Sequence, residues 1–129
     1  MPYDSSTRIV IVDDQPSIRT LVFSSLTHIG YHNLVECGDG EEALAEITAR
    51  MPNLVISDLN MPKLDGLGLL RALRTKPGFE NIPFILLTSR AETDTVKKAV
   101  ELKVNNYLVK PFAVDALKRK IEAVIGPLV

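Results

Sequence analysis

The sequence predicts an α/β fold, a doubly wound five-stranded parallel sheet with five helices on its two faces. Three observations predict it. Short runs rich in Val, Ile and Leu alternate with longer stretches of helical period along the chain. The runs are almost continuously apolar rather than alternating, as strands covered on both faces require. Finally, the runs end on residues with chemistry to offer: Asp13 and Asp14, Asp58, Thr88 and Lys110. Open parallel sheets bind ligands just outside the carboxyl ends of their strands.

Each element can be justified in order. Residues 8–12 read as the first strand. Gln15 to Ile29 reads as a helix, with Ile18, Leu21, Val22, Ser25, Leu26 and Ile29 on one face. Pro16 suits its first turn and Gly30 its stop. Residues 33–37 form the second strand, and the turn Gly38-Asp39-Gly40 leads into a helix from Glu41 to Arg50 with Ala43, Leu44 and Ile47 inward. Residues 54–57 form the third strand, closed by Asp58. A loop through Met61-Pro62 and Asp65-Gly66 precedes a helix to about Thr75, with Leu67, Leu70, Leu73 and Arg74 on its track. Lys76-Pro77-Gly78 is a turn. Residues 84–87 form the fourth strand, a weaker helix covers Asp94 to Leu102, and residues 106–109 form the fifth strand. The last helix runs from Val114 to Ile125 with Leu117, Ile121 and Val124 inward, and Gly126-Pro127 stops it.

Right-handed crossovers leave few ways to join these units. The flavodoxin-like order 2-1-3-4-5 is expected, with its switch point between the first and third strands. Asp13, Asp14 and Asp58 would converge there. The five units use almost the whole chain, which leaves no room for a second domain. An X–Pro bond can be cis, and a cis Lys110–Pro111 bond is expected to aim the lysine amine into the same crevice.

Composition narrows the function. The chain has 129 residues and 46% hydrophobic residues, enough for one real core and too apolar for disorder. Its net charge of −1 gives no field that would favour nucleic acid or anionic lipid. No apolar stretch approaches the length of a membrane span and no secretory signal pattern is present. A single cysteine, Cys37, forbids an internal disulfide and reads as a small buried hydrophobe. A cytoplasmic setting is expected. His28 and His32 lack the spacing of a metal site.

Three carboxylates in one crevice repel one another, by about 4 kcal/mol for a pair roughly 4 Å apart at an effective dielectric near 20. Either a proton or a cation must relieve that repulsion. Oxygen ligands with no Cys or His nearby point to Mg²⁺. Taken singly, Asp14 could be a helix cap, Thr88 a strand-end residue, and Lys110 a strand-end lysine whose amine reaches for water. Together they suit a metal ion and a phosphoryl group. A carboxylate beside Mg²⁺ can act as a nucleophile toward phosphorus, which makes Asp58 the candidate acceptor.

These residues resemble the receiver domains of two-component response regulators over residues 8–125. Val12-Asp13-Asp14 is similar to the family's acidic pair, and Ser57-Asp58-Leu59-Asn60-Met61-Pro62 with Asp65-Gly66 is similar to its phosphoacceptor segment. Thr88-Ser89 and Lys110-Pro111-Phe112 complete the set. Gly30-Tyr31-His32-Asn33-Leu34, the Asn60-Met61-Pro62 loop and the spacing before Ile82-Pro83 resemble the single-domain chemotaxis regulators of that family. The resemblance implies that residues 1–7 are an extension and 8–129 the receiver domain. It implies that Asp58 accepts phosphate from the phosphohistidine of a histidine kinase, of the CheA-like type if the pathway is chemotaxis. It implies that Asp14, Asp58 and the backbone carbonyl of Asn60 hold Mg²⁺, with Asp13 joining directly or through water. Thr88 and Lys110 would bind the phosphoryl group. Tyr107 matches the family's switch position and would turn inward as Thr88 moves. The surface formed by the fourth helix, fifth strand and fifth helix would then bind a protein target, possibly the flagellar motor switch. Neither nucleic acid nor membrane is an implied partner, and a monomer is expected. Such a protein is a switch with slow self-dephosphorylation rather than an enzyme.

The chain departs from the family pattern in places. Lys103-Val104 stands where a Gly-Ala pair is common, which changes the charge and stiffness of the output surface. Leu59 stands where an aromatic is common, and Arg90 where an acid or amide is common, near the path of hydrolytic water. Lys118, Arg119 and Lys120 on the last helix read as a solvated face, with partner docking the minority reading. Three alternatives stand beside the lead. One is the receiver of a longer regulator with another output. Another is an interaction domain that no longer takes phosphate, against which the complete acid, hydroxyl and amine set argues. The third is a Mg²⁺ phosphatase, disfavoured because the acids after the first strand are adjacent and no cap domain is present.

Overall fold

The computed structural model describes residues 6–89 and 93–128. Five strands, β1 (Arg8–Val12), β2 (Asn33–Cys37), β3 (Leu54–Asp58), β4 (Phe84–Thr88) and β5 (Asn106–Val109), alternate with five helices. The helices are α1 (Pro16–Ile29), α2 (Gly40–Ala49), α3 (Gly66–Arg74), α4 (Thr93–Glu101) and α5 (Val114–Ile125). The sheet is parallel throughout, in the order β2-β1-β3-β4-β5, as expected.

Side chains along a strand point alternately to opposite faces, and the core divides accordingly. Val10, Val12, Val55, Phe84 and Leu86 pack on one face with residues of α2, α3 and α4. Ile9, Ile11, Leu54, Ile56, Ile85 and Leu87 pack on the other with α1 and α5. The three central strands are buried at every position, whereas β2 and β5 are partly exposed edges. The expectation of five fully buried strands therefore fails at the two edges, where one side lacks a neighbouring strand.

Four sequence expectations shift. Asp58 and Thr88 are the last residues of β3 and β4, one residue further than the apolar runs suggest, because the register continues through Asp58↔Leu87 and Thr88↔Val109. Helix α2 starts at Gly40 because the Asp39 carboxylate accepts the Glu42 backbone N–H at 2.8 Å and caps the first turn. Leu69 is fully buried on α3 although it is not on the expected track of Leu67, Leu70, Leu73 and Arg74. Leu21, expected on the inward face of α1, is 45% exposed. Cys37 is buried, as expected, and both histidines are exposed. The Lys110–Pro111 bond is cis.

Arg74 ties the end of α3 to the segments that lead into β4 and β5. Its guanidinium donates to the carbonyls of Ile82 at 2.8 Å and Lys103 at 3.0 Å, and to Asn105 Oδ1 at 3.1 Å. Asn105 Oδ1 also accepts the Phe84 backbone N–H. Burial lowers the Arg74 pKa, since its partners are dipoles rather than an anion.

Lys103, after α4, has φ +60°, the left-handed region that costs a non-glycine residue about 1–2 kcal/mol. Glycine would relieve that strain but lose about 0.5–1 kcal/mol through its freer unfolded chain. A Lys103→Gly variant should gain about 0.5–1 kcal/mol net. Urea unfolding with unchanged slope checks this, and no gain would show that the Lys103 backbone is not strained.

Candidate functional site

The carboxyl ends of β1, β3 and β5 meet over one cleft of ≈ 620 Å³. Asp14, Asp58, Asn60, Ser89 and Lys110 supply its polar lining, and Ile18, Leu21 and Phe112 supply an apolar wall. Leu21 is exposed because it forms this rim. The wall was not legible in the sequence, since Ile18 and Leu21 carry the same period as the true core positions of α1.

The acids converge. Carboxylate oxygens of Asp13, Asp14 and Asp58 lie within 4.8 Å of one another. Asp13 is fully buried and Asp58 nearly so, while Asp14 is exposed. Lys110 is the counter-charge: its Nζ donates to Asp58 Oδ1 at 2.9 Å and lies 3.8 Å from Asp13 Oδ2. The second distance is an ion pair but too long for a hydrogen bond. Asp13 Oδ1 accepts the Gln15 backbone N–H at 2.9 Å, but Asp13 Oδ2 is buried with no hydrogen-bond partner. A buried, unbonded carboxylate oxygen facing two more carboxylates fits a bound cation, and the donor set is oxygen alone.

The backbone around the acids is held from several sides. Arg19 Nη1 donates to the Asp13 carbonyl at 2.7 Å, a support the sequence gave no sign of. The Lys110 backbone N–H donates to the Thr88 carbonyl at 2.7 Å, so the residues that carry the hydroxyl and the amine are joined directly. Thr88 is buried and does not line the cleft. Tyr107 lies outside the cleft too. It is half-buried on β5, with Lys120 Nζ 5.4 Å from its ring centroid. Lys120 Nζ also donates to Asn106 Oδ1 at 3.3 Å, so one of the three helix-α5 cations is engaged, while Lys118 and Arg119 are exposed. Arg90 lies outside the described residues.

Residues 9–122 match the family model for the response regulator receiver domain. The chain belongs to this family. The receiver is 43% identical over 121 residues to the probable chemotaxis protein CheY of Rhizobium etli, a match that covers 94% of each chain. It is 36% identical to the chemotaxis protein CheY1 of Helicobacter pylori, over 92% of this chain and 97% of that one. The Vibrio cholerae chemotaxis protein CheY4 superposes with a TM-score of 0.85 at 30% identity, covering 92% and 98%. The receiver domain of a sensor histidine kinase from Pseudomonas aeruginosa superposes with a TM-score of 0.84 at 28% identity, covering 93% and 98%. It carries a magnesium ion coordinated in its active-site cleft. This receiver is thus CheY-like, of a family of signalling switches. No helix among the described residues is long and apolar enough to cross a membrane.

Burial raises the Asp13 pKa above its ordinary 3.8; Asp58 and Asp14 add to the rise, while the Gln15 N–H and Lys110 oppose it. The folded chain therefore holds more protons than the unfolded one in a window running upward from 3.8. In that window stability falls as pH rises, so ionised Asp13 is a cost at neutral pH. Asp13→Asn keeps an acceptor for Gln15 and removes the charge. With chelator present at pH 7, the variant should be more stable than the parent by on the order of 1 kcal/mol. The advantage should shrink as the pH is lowered through the Asp13 titration. Equal stability at pH 7 would show that Lys110 already compensates the charge.

Proposed function

We propose that this receiver is a phosphorylation-controlled switch in which Asp58 accepts a phosphoryl group from the phosphohistidine of a histidine kinase. The observation that carries the reading is the placement of Asp58. Its carboxylate ends a central strand, lies at the cleft, and is paired at 2.9 Å with the one ammonium of the site among the described residues. In the transfer an Asp58 oxygen attacks phosphorus, the P–N bond breaks, and the electron pair leaves with the imidazole, whose other ring nitrogen carries the proton that makes the departing ring neutral. Lys110 then exchanges its carboxylate contact for a phosphoryl oxygen, with no long movement required. Thr88, joined to Lys110 through the backbone, supplies a hydroxyl donor to another phosphoryl oxygen.

Asp13, Asp14, Asp58 and the Asn60 backbone carbonyl would hold Mg²⁺. When bound, the ion neutralises charge on the acids and on the phosphoryl oxygens. The unbonded Asp13 Oδ2 supports this set, as does the magnesium in the related kinase receiver domain. The added phosphoryl group brings about −1.5 to −2 charges, and a few kcal/mol of differential contact suffices to shift a two-state population. Thr88 and Tyr107 would carry that shift to the surface of α4, β5 and α5, where a protein target binds. The chemotaxis names of the relatives support a motility pathway with a CheA-like donor. Lys97, Lys103 and Lys118 are exposed on or beside α4 and α5.

Incubation with acetyl phosphate, with and without Mg²⁺, tests the reading through intact mass. One phosphoryl group should be gained only with Mg²⁺, and Asp58→Asn should gain none. No gain by the parent, together with no binding of beryllofluoride, would instead mark a constitutive interaction domain.

A further inference from the structure

The loop between β3 and α3 carries Asn60, and it is seated on a helix that contributes no ligand. Gly66 N–H donates to the Leu59 carbonyl at 2.8 Å and closes the loop at its base. Within it, the Leu64 N–H donates to the Pro62 carbonyl at 2.8 Å, and Lys63 has φ +68°. The loop's far side rests on the start of α2. A Cβ built on Gly40 would overlap the Leu64 carbonyl oxygen and come within 2.8 Å of the Leu64 carbonyl carbon and Cβ. Lys63 Nζ lies 3.7 Å from Asp39 Oδ2, and Asp39 is the residue that caps α2. Charge and shape thus both press the loop onto the first turn of α2. The positive end of that helix also favours the carbonyl oxygen that rests there.

We infer that Gly40 is a positioning residue for the metal: its missing side chain lets Leu64 sit against α2, and this sets where the Asn60 carbonyl lies. The inference rests on the metal reading proposed above. A methyl group at position 40 must push Leu64 away by on the order of 1 Å, because packed backbone has no free space to absorb it. The loop is closed at Leu59–Gly66, so the displacement passes to the residues between, Asn60 among them. Mg²⁺ demands near-ideal octahedral geometry, whereas Ca²⁺ accepts looser and more varied coordination. A shifted carbonyl therefore costs Mg²⁺ more than Ca²⁺.

The test is calorimetric titration of Mg²⁺ and Ca²⁺ into the parent, Gly40→Ala and Ile47→Val. Ile47 is buried on α2 about two turns beyond Gly40, so its variant weakens the helix packing without adding atoms where the Leu64 backbone sits. Gly40→Ala should weaken Mg²⁺ at least about ten-fold and Ca²⁺ no more than about three-fold. Ile47→Val should leave both within about two-fold. Unchanged Mg²⁺ affinity in Gly40→Ala overturns the inference, as does equal weakening of both ions, which general destabilisation would cause. If Gly40→Ala does not fold cooperatively, the parent decides. Its Gly40 amide resonance should shift during Mg²⁺ titration with the same midpoint as the Asn60 amide, and an unmoved Gly40 amide overturns the inference. A parent that binds no Mg²⁺ would remove the metal reading itself, which retained binding in Gly40→Ala would not.

Discussion

Like-charge repulsion among Asp13, Asp14 and Asp58 is the constraint on which the rest of this structure turns. Three carboxylates within 4.8 Å repel one another, and the only ammonium that reaches them among the described residues is that of Lys110. The fold exists in a form that holds this unfavourable group together. Fully buried central strands fix the backbone positions of Asp13 and Asp58, and Arg19 grips the Asp13 carbonyl from α1. The stability of the hydrophobic sheet absorbs the electrostatic cost of a cluster that could hold a metal ion.

The compensating lysine explains how such a site can respond to chemistry. Its contact with Asp58 is a hydrogen bond, and its contact with Asp13 is longer and unbonded. The ammonium has donors for both acids, but in this geometry only Asp58 receives a hydrogen bond, so the arrangement is lopsided. A new anion on Asp58 would redraw the lysine's partners and, through the backbone bond between Lys110 and Thr88, reach both β4 and β5.

The sheet order and, to within one residue, the ends of its strands were legible in the sequence because both follow from short-range pattern. Apolar runs fix strands, and the residue after each run fixes the edge. The same logic missed what depends on distant contact. Leu21 carries the core period of α1 yet lies on the cleft rim, because helical spacing cannot distinguish a face that meets a sheet from one that overhangs a pocket. Arg74 falls on the track of α3 with Leu67, Leu70 and Leu73, but the period cannot say what its guanidinium meets: carbonyls of Ile82 and Lys103, whose proximity only the fold creates. The seat of Leu64 on Gly40 was invisible for the same reason: the turn Gly38-Asp39-Gly40 announced itself, but not what packs against it.

The lone thiol has a consequence for how this molecule can be observed. Burial, with Glu42, Glu46 and Asp39 nearby, pushes the Cys37 pKa up to about 12. At neutral pH only about one thiol in a hundred thousand is ionised, and the thiolate is the reactive form. The chain also contains no tryptophan. The folded chain therefore offers little thiol reactivity and no tryptophan signal. A single cysteine placed on the exposed side of α4, or a single tryptophan at the cleft rim, would be a spectroscopic label with essentially no background, and the native Cys37 need not be removed to obtain it.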